Sequence, residues 1–224
     1  MIGFTNKPEL GYGIYTVTEV AALLRLPAGK VRYWLNRFWD TQLAPTLNAR
    51  YSWGEKQGKA VNFYTLIEFY VFYQLRTHGI SPARILTVHQ LLAQKFNTPY
   101  PFASYKIMTD GKNILFSPDG ESIVNATSDF QYNIKGIIED FLKKIDFNEE
   151  HQLAERFFPA GRDSSIVIDP HHQFGQPVIA GTNILAETLY AMHKGGEKVS
   201  TISTLYNLNT NQVKDAIKFY QKAA

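Results

Sequence analysis

The chain has 224 residues, 45% of them hydrophobic and 19% charged, a composition that supports packed cores and excludes an intrinsically disordered chain. It contains no cysteine, which excludes disulfides, thiolate catalysis and thiolate metal sites. The formal charge of +3 is unevenly spread: residues 1–96 hold 11 Lys and Arg against 5 Asp and Glu, and residues 97–224 hold 12 against 15.

A basic first part beside an acidic remainder fits a nucleic-acid module joined to a different module, and equally a solvated basic face. The opening residues Met1 to Glu9 lack the charged, apolar, small-residue order of a signal peptide, and no run of 18 apolar residues follows. A cytoplasmic location with no membrane partner is expected.

Thr16-Val17-Thr18-Glu19 has the spacing of a capping box and opens a helix with Val20, Ala21, Leu23 and Leu24 on one face. Arg25-Leu26-Pro27 interrupts it, and a second helix is predicted from Ala28 to Trp39. There Val31, Trp34, Leu35 and Phe38 recur at i, i+3, i+4 and i+7 and leave Lys30, Arg32, Tyr33, Asn36 and Arg37 off the core stripe. Two helices joined by a tight turn are helix-turn-helix geometry, whose second helix presents Arg, Lys and Asn to phosphates and base edges in a major groove. The plain alternative is that Arg32 and Arg37 are ordinary solvent-facing charges and Tyr33 and Trp34 ordinary core.

Ala49 to Tyr64 mixes Tyr51, Trp53, Val61, Phe63 and Tyr64 with Arg50, Lys56 and Lys59 around Gly54 and Gly58, which predicts a short basic β-hairpin wing. Thr65-Leu66-Ile67-Glu68 reads as a second capping box, opening an apolar helix that stops at Gly79. Ser81-Pro82 supplies an N-cap and first-turn proline for a helix ending near Phe96.

The order Tyr15-Thr16-Val17-Thr18-Glu19-Val20-Ala21, Val31-Arg32-Tyr33-Trp34, Asn62-Phe63-Tyr64-Thr65 and Gly79-Ile80-Ser81-Pro82 resembles a MerR-family DNA-binding domain over residues 12–95. The resemblance implies a winged helix-turn-helix that contacts double-stranded DNA through its second helix and wing. Its residue-wise carry-over falls on Arg32 and Tyr33 in the helix and on Arg50 and Tyr51 entering the wing. Lys30, Asn36, Arg37, Lys56 and Lys59 complete the candidate DNA-binding set. Arg25 stands where the family has its turn glycine, and a left-handed backbone there would cost ~1–2 kcal/mol. Pro27 stands where the family has an N-cap serine. The family's dimerising coiled coil is absent, because Phe96-Asn97-Thr98-Pro99-Tyr100-Pro101 ends the last helix, so a homodimer would form elsewhere.

In the middle, Tyr105 to Met108 and Asn113 to Phe116 flank Asp110-Gly111, predicting a hairpin, with a third strand through Ile123-Val124. Asp129 to Ile145 predicts an amphipathic helix carrying Ile134, Ile137, Ile138, Phe141, Leu142 and Ile145. Its partner is the chain's own core, a second copy, or another protein in a helix-in-groove contact.

Ser165 to Pro170 reads as a strand, and Phe174 to Thr182 as a glycine-punctuated loop. Three helices follow: Ile184 to Lys194, Val199 to Tyr206, and a last one capped by Asn209-Thr210-Asn211-Gln212. Ile166 to Pro170, Gly175 to Thr182 and these helices resemble the domain of unknown function numbered 433, over residues 164–222. The family's Gly-Thr-Arg is Gly181-Thr182-Asn183 here.

Proteins combining that domain with a MerR-like N-terminus resemble VapB-type antitoxins. The resemblance implies a PIN-like ribonuclease toxin as partner and repression of the protein's own operon. Neutralising an acidic, metal-binding nuclease pocket suits a basic side chain with fixed donors, and Arg162 is the candidate toxin contact; the alternative is a loop arginine paired with Asp163 or Asp169.

No catalytic pattern emerges. His171-His172 lacks a third ligand at helical spacing, and the phosphate loop, nucleophile elbow and dinucleotide fingerprint are all missing. The expectation is a non-enzymatic protein without cofactor or metal, mainly α with small β elements. It is divided into a winged helix-turn-helix (12–96), a linking region with hairpin and helix (97–163) and a trihelical, helix-turn-helix-like unit (164–224). Two further readings compete with the antitoxin: a MerR-like regulator sensing a small molecule in an aromatic pocket, and a scaffold whose helix-turn-helix units bind only protein.

Overall fold

A computed structural model describes residues 11–55, 58–105, 107 and 141–221. The chain enters through β1 (Tyr15–Thr16) and turns directly into α1 (Val17–Leu24). The expected capping box is present: Thr16 Oγ1 accepts the Glu19 N–H at 3.2 Å, and the Glu19 carboxylate accepts the Thr16 N–H at 2.6 Å. α1 ends on Arg25, which takes the left-handed conformation (φ 55°, ψ 49°) despite its side chain.

After this turn α2 (Ala28–Trp34) begins, and it does not stop at Trp39. A π-helical stretch, Leu35–Leu43, and a last turn α3 (Ala44–Leu47) carry it on to a left-handed Asn48. The spacing of the apolar residues explains the widening. Val31, Leu35, Trp39 and Leu43 lie four apart and are all fully buried. On a helix of 3.6 residues per turn each step of four drifts by about 40°; the wider i→i+5 turn keeps them on one face.

The wing strands β2 (Ser52–Trp53) and β3 (Ala60–Val61) pair antiparallel, and β1 adds to the other edge of β3, giving the order β1-β3-β2. The expected two-stranded hairpin is therefore a three-stranded sheet, with Val61 opposite both Tyr15 and Ser52. Its tip, including Lys56, lies outside the described residues.

α4 (Phe63–Thr77) starts before the capping box expected at Thr65–Glu68. The cap is Asn62, whose Oδ1 accepts the Thr65 N–H at 2.8 Å. Glu68 is turned inward: its Oε2 lies 2.5 Å from His89 Nε2 and its Oε1 accepts the Phe102 N–H at 2.8 Å, with both side chains fully buried. The helix ends at His78, followed by Gly79 at φ 84°, as expected. α5 (Pro82–Phe96) is capped by Ser81 and ends at a left-handed Asn97. The Glu68–His89 contact thus joins α4, α5 and the 3₁₀ turn Pro101–Ala103.

The region after α5 contributes to this first core, in which Phe102, Ala103, Ile107, Phe141, Leu142, Ile145, Ala154 and Phe157 are all buried. The predicted hairpin turn at Asp110-Gly111, the strand through Ile123-Val124 and most of the 129–145 helix lie outside the described residues. Ile145, read as that helix's last apolar position, opens a strand instead: β4 (Ile145–Phe147) pairs antiparallel with β5 (Ala154–Phe157).

In the C-terminal unit β6 (Ile166–Val167) pairs antiparallel with β7 (Val178–Ile179), so part of the stretch expected as loop is strand. α6 (Ala186–Lys194), α7 (Val199–Tyr206) and α8 (Thr210–Gln221) pack over this pair around Ile179, Leu189, Ile202, Val213 and Ala216. The fold is mainly helical with small antiparallel sheets, as the sequence predicts. Among the described residues no helix is long and apolar enough to cross a membrane.

The two cores meet at α1. Leu23 packs against both. Gln176 Nε2 donates to Glu19 Oε1 at 3.0 Å, and the Ile14 N–H donates to Phe174 O at 3.1 Å. Gly175 lies so close to Tyr15 that a Cβ there would sit 2.0 Å from the tyrosine Oη, and its φ of +84° also requires glycine.

Candidate nucleic-acid interface

The helix-turn-helix places its second helix with one face in the core and the other in solvent. Trp34, Leu35, Phe38 and Trp39 are buried against α4, where Trp34 meets Phe72 edge-on at 4.9 Å and Trp39 meets Phe69 at 4.5 Å. On the opposite face Gly29, Arg32, Tyr33, Asn36, Arg37 and Thr41 line an open depression of about 500 Å³. Tyr33 is 57% exposed there, held edge-on to Phe38. Arg32 Nε is shielded from solvent and has no acceptor among the described residues. Lys30 stands to one side, its ammonium 5.3 Å from the Trp34 ring centre and 5.5 Å from that of Tyr73.

The wing is fixed to this helix through Asp40. Its carboxylate accepts from Lys59 Nζ at 2.6 Å and from Ser52 Oγ at 2.9 Å, while Lys59 also donates to Asn36 Oδ1 at 2.7 Å. One carboxylate on the helix thereby holds both strands of the wing, and Lys59 is tied into the helix face.

The sequence-predicted residues divide accordingly. Lys30, Arg32, Tyr33, Asn36 and Arg37 share one helix, Lys59 joins them from the wing, and Arg50 is exposed at the wing's entry. Tyr51 is corrected: it is fully buried, its hydroxyl donates to Pro99 O at 2.8 Å, and it cannot reach a ligand outside the chain. Burial, followed by the nearby Glu68 and Tyr100, pushes its pKa well above the usual tyrosine value, so it remains a neutral donor. Asp40 was missed, because a lone acid on a basic helix carries no sequence signal of the lysine and serine that meet it across the wing.

Arg162 sits elsewhere, in the loop after β5, against the start of β4. Its Nε donates to Lys143 O at 2.7 Å, its Nη2 lies 2.6 Å from Asp146 Oδ1, and its guanidinium stacks 4.2 Å from the Phe158 ring centre. The expected intramolecular partners Asp163 and Asp169 are replaced by Asp146. Arg162 thereby clamps this loop while its side chain stays 45% exposed.

A separate cleft of about 600 Å³ opens behind the wing, lined by Tyr12, Trp53, Tyr64 and Tyr100 with Asn62 and His151 among its polar groups. Tyr64 lies 5.7 Å from Tyr12 and 5.2 Å from Tyr100, ring centre to ring centre. Among the described residues no cluster of three or more His, Asp or Glu is placed to hold a metal ion.

Comparison with known proteins gives four findings. Residues 166–220 match the family model described as "Protein of unknown function (DUF433)". The chain is 25% identical over 166 residues, 69% of each chain, to a Mycobacterium tuberculosis protein named "Putative antitoxin VapB45". It is 24% identical over 230 residues to the uncharacterized protein Rv2308 of the same organism, covering 93% of this chain and 90% of that one. The crystal structure of Rv2018 from Mycobacterium tuberculosis matches with a TM-score of 0.74 at 21% identity, covering 95% of this chain and 99% of the other, which shows that the two share a fold. The C-terminal unit therefore carries a domain of the 433 type, within a chain distantly related to a named antitoxin.

Proposed function

We propose that this protein is a non-enzymatic antitoxin that represses its own operon, binding promoter DNA through the second helix and wing and a PIN-like ribonuclease toxin through another surface. The relationship to the named antitoxin supports the antitoxin part. The single observation that carries the DNA part is the basic, solvent-facing row Arg32, Asn36 and Arg37 beside a wing locked in place by Asp40. That row has the residue types that bond phosphates and base edges, on a helix in the docking geometry of helix-turn-helix proteins. A homodimer would present two such heads to two half-sites.

Co-expression with the neighbouring open reading frame, followed by co-purification and a growth assay of the neighbour alone, tests the antitoxin reading. A toxic neighbour rescued by this chain is expected; a harmless, non-binding neighbour overturns it. In that case the aromatic cleft behind the wing favours the second reading, a regulator that responds to a small planar ligand, because a ligand there would touch Trp53 on a wing strand.

A further inference from the structure

The turn between α1 and α2 is built a second time near the end of the chain. Adding 182 to each residue number of the first unit carries α1 (Val17–Leu24) onto α7 (Val199–Tyr206), helices of equal length. The left-handed Arg25 (φ 55°, ψ 49°) falls on the left-handed Asn207 (φ 52°, ψ 44°). Three backbone hydrogen bonds of the turn correspond. Arg25 N–H to Ala22 O at 3.2 Å matches Asn207 N–H to Thr204 O at 3.3 Å. Leu26 N–H to Ala21 O at 2.8 Å matches Leu208 N–H to Ser203 O at 2.9 Å. Val31 N–H to Pro27 O at 3.3 Å matches Val213 N–H to Asn209 O at 3.4 Å.

The core positions follow the same rule. Val20, Val31, Trp34 and Leu35 become Ile202, Val213, Ala216 and Ile217, all buried; Val17, Leu23, Leu26 and Val31 are matched by identical residues, of which Leu205, the match of Leu23, is exposed. On the solvent side Arg32 becomes Lys214 and Asn36 becomes Lys218, both exposed and without an ion pair among the described residues.

The surface around this second turn suits a polyanion. From Lys198 to Lys214 the chain has no acidic residue. Ser200, Thr201, Thr204, Asn207, Asn209, Thr210 and Asn211 are exposed, a density of hydroxyl and amide donors typical of phosphate contacts. The nearest acid on α8, Asp215, is half-buried and accepts the Ser165 N–H at 2.8 Å, and it shares an open cleft with Asp163 and Lys218. The start of α8 is held by Asn209, whose Oδ1 accepts from the Asn211 and Gln212 N–H groups at 3.0 and 2.9 Å.

We infer that α7 and α8 form a second DNA-binding helix-turn-helix, so that a single chain carries two duplex-contacting units, with Lys214 and Lys218 neutralising phosphates. This rests on the reading that the first unit binds promoter DNA.

The full-length chain, titrated with duplex from its own promoter by fluorescence anisotropy across salt concentrations, tests it. The double variant Lys214→Ala/Lys218→Ala should lower the magnitude of the log K against log salt slope by about 1.8, at 0.9 per phosphate. It should also shorten the hydroxyl-radical footprint on one side while the rest stays protected. Both lysines are exposed, so an unchanged melting temperature checks that the fold is intact. The companion variant Arg32→Ala/Arg37→Ala should remove the other part of the footprint. An unchanged slope and footprint for the lysine variant, with wild-type binding intact, overturns the second unit alone, as does loss of toxin capture without change in DNA binding. Absence of any salt-dependent duplex binding by the wild type overturns both units.

Discussion

Lys59 Nζ lies 2.6 Å from Asp40 Oδ2, bridging the wing to the middle of the second helix, and each side chain is only 21% exposed. Asp40→Ala removes the acceptor shared by Lys59 and Ser52, at a cost to stability of about 1 kcal/mol for a partly shielded pair. It also frees a positive charge on the proposed DNA-binding face. The expected outcome in a promoter-binding assay is weaker binding, roughly 5- to 30-fold on a ~1–2 kcal/mol penalty for a disordered wing. Affinity that rises instead would mean that the lysine's charge matters more than the wing's position.

Arg32→Ala should weaken promoter binding by ~1–3 kcal/mol if Arg32 reads a base, with loss of discrimination at one position of the operator. Thermal stability should barely change. A variant that binds as well as wild type takes Arg32 out of the interface.

Arg25→Gly should stabilise the protein. The left-handed conformation costs a non-glycine residue ~1–2 kcal/mol, and glycine's looser unfolded chain offsets ~0.4–1 of that. A net gain of about 0.5–1 kcal/mol should appear as a rise in melting temperature of ~1–4 °C. Arg25→Ala, which keeps the Cβ, should give no such rise.

The buried Glu68–His89 contact makes a sharper prediction. His89→Leu leaves a carboxylate in the core without its charged or hydrogen-bonding partner, and a loss of ~3–5 kcal/mol is expected in chemical denaturation. The double variant Glu68→Leu/His89→Leu should recover part of this, retaining a deficit of ~1–3 kcal/mol for the orphaned Phe102 N–H. Two equal losses would show that the histidine's packing, and not the pairing, is what matters.

Several tyrosines set an alkaline limit. Burial, then Asp169 and Glu19, holds Tyr15 well above the usual phenol value, and Tyr64 is pushed up to about 12 by burial and then by Tyr12, Tyr100 and Glu155. A folded-state value above the unfolded one means that stability is fully present below pH ~10 and is lost as pH rises beyond it. Denaturation midpoints should be flat across neutral pH and fall above pH ~10, by about 1.4 kcal/mol per pH unit for each fully buried tyrosine. A flat profile to pH 12 would contradict the burial of these hydroxyls.

The helices were legible where the chain announces its own ends: Thr16 with Glu19, Ser81 with Pro82, Asn209 with Gln212, and Gly79. What failed depends on partners distant in sequence. Thr65–Glu68 has the letters of a capping box, yet Glu68 is drawn inward by His89 and Phe102, which no local pattern reveals. Tyr51 looked like a wing residue because aromatic and basic residues alternate there, but its hydroxyl is claimed by Pro99. The short strands β4, β5 and β7 have two to four residues each, too few for alternation to register. At the candidate site the helix face was readable from periodicity, while the Asp40 link was not, since it joins residues 12 and 19 positions apart. The C-terminal unit was legible as helix-turn-helix-like, but its repetition of the first turn was not, because only four scattered apolar residues are shared and the likeness lies in backbone geometry.

The seam at Tyr15, Glu19, Leu23, Gly175 and Gln176 bears on how such a chain can change over generations. A gene cut back to the first 160 codons would leave the Tyr15 ring and Leu23 facing water and Glu19 without Gln176. A gene beginning near Ser164 would lose the Phe157 pairing that seats Ile168 in the first core. Neither half is free to be lost or exchanged without repair of the other, and substitutions at Tyr15 and Gly175 are expected to be inherited together.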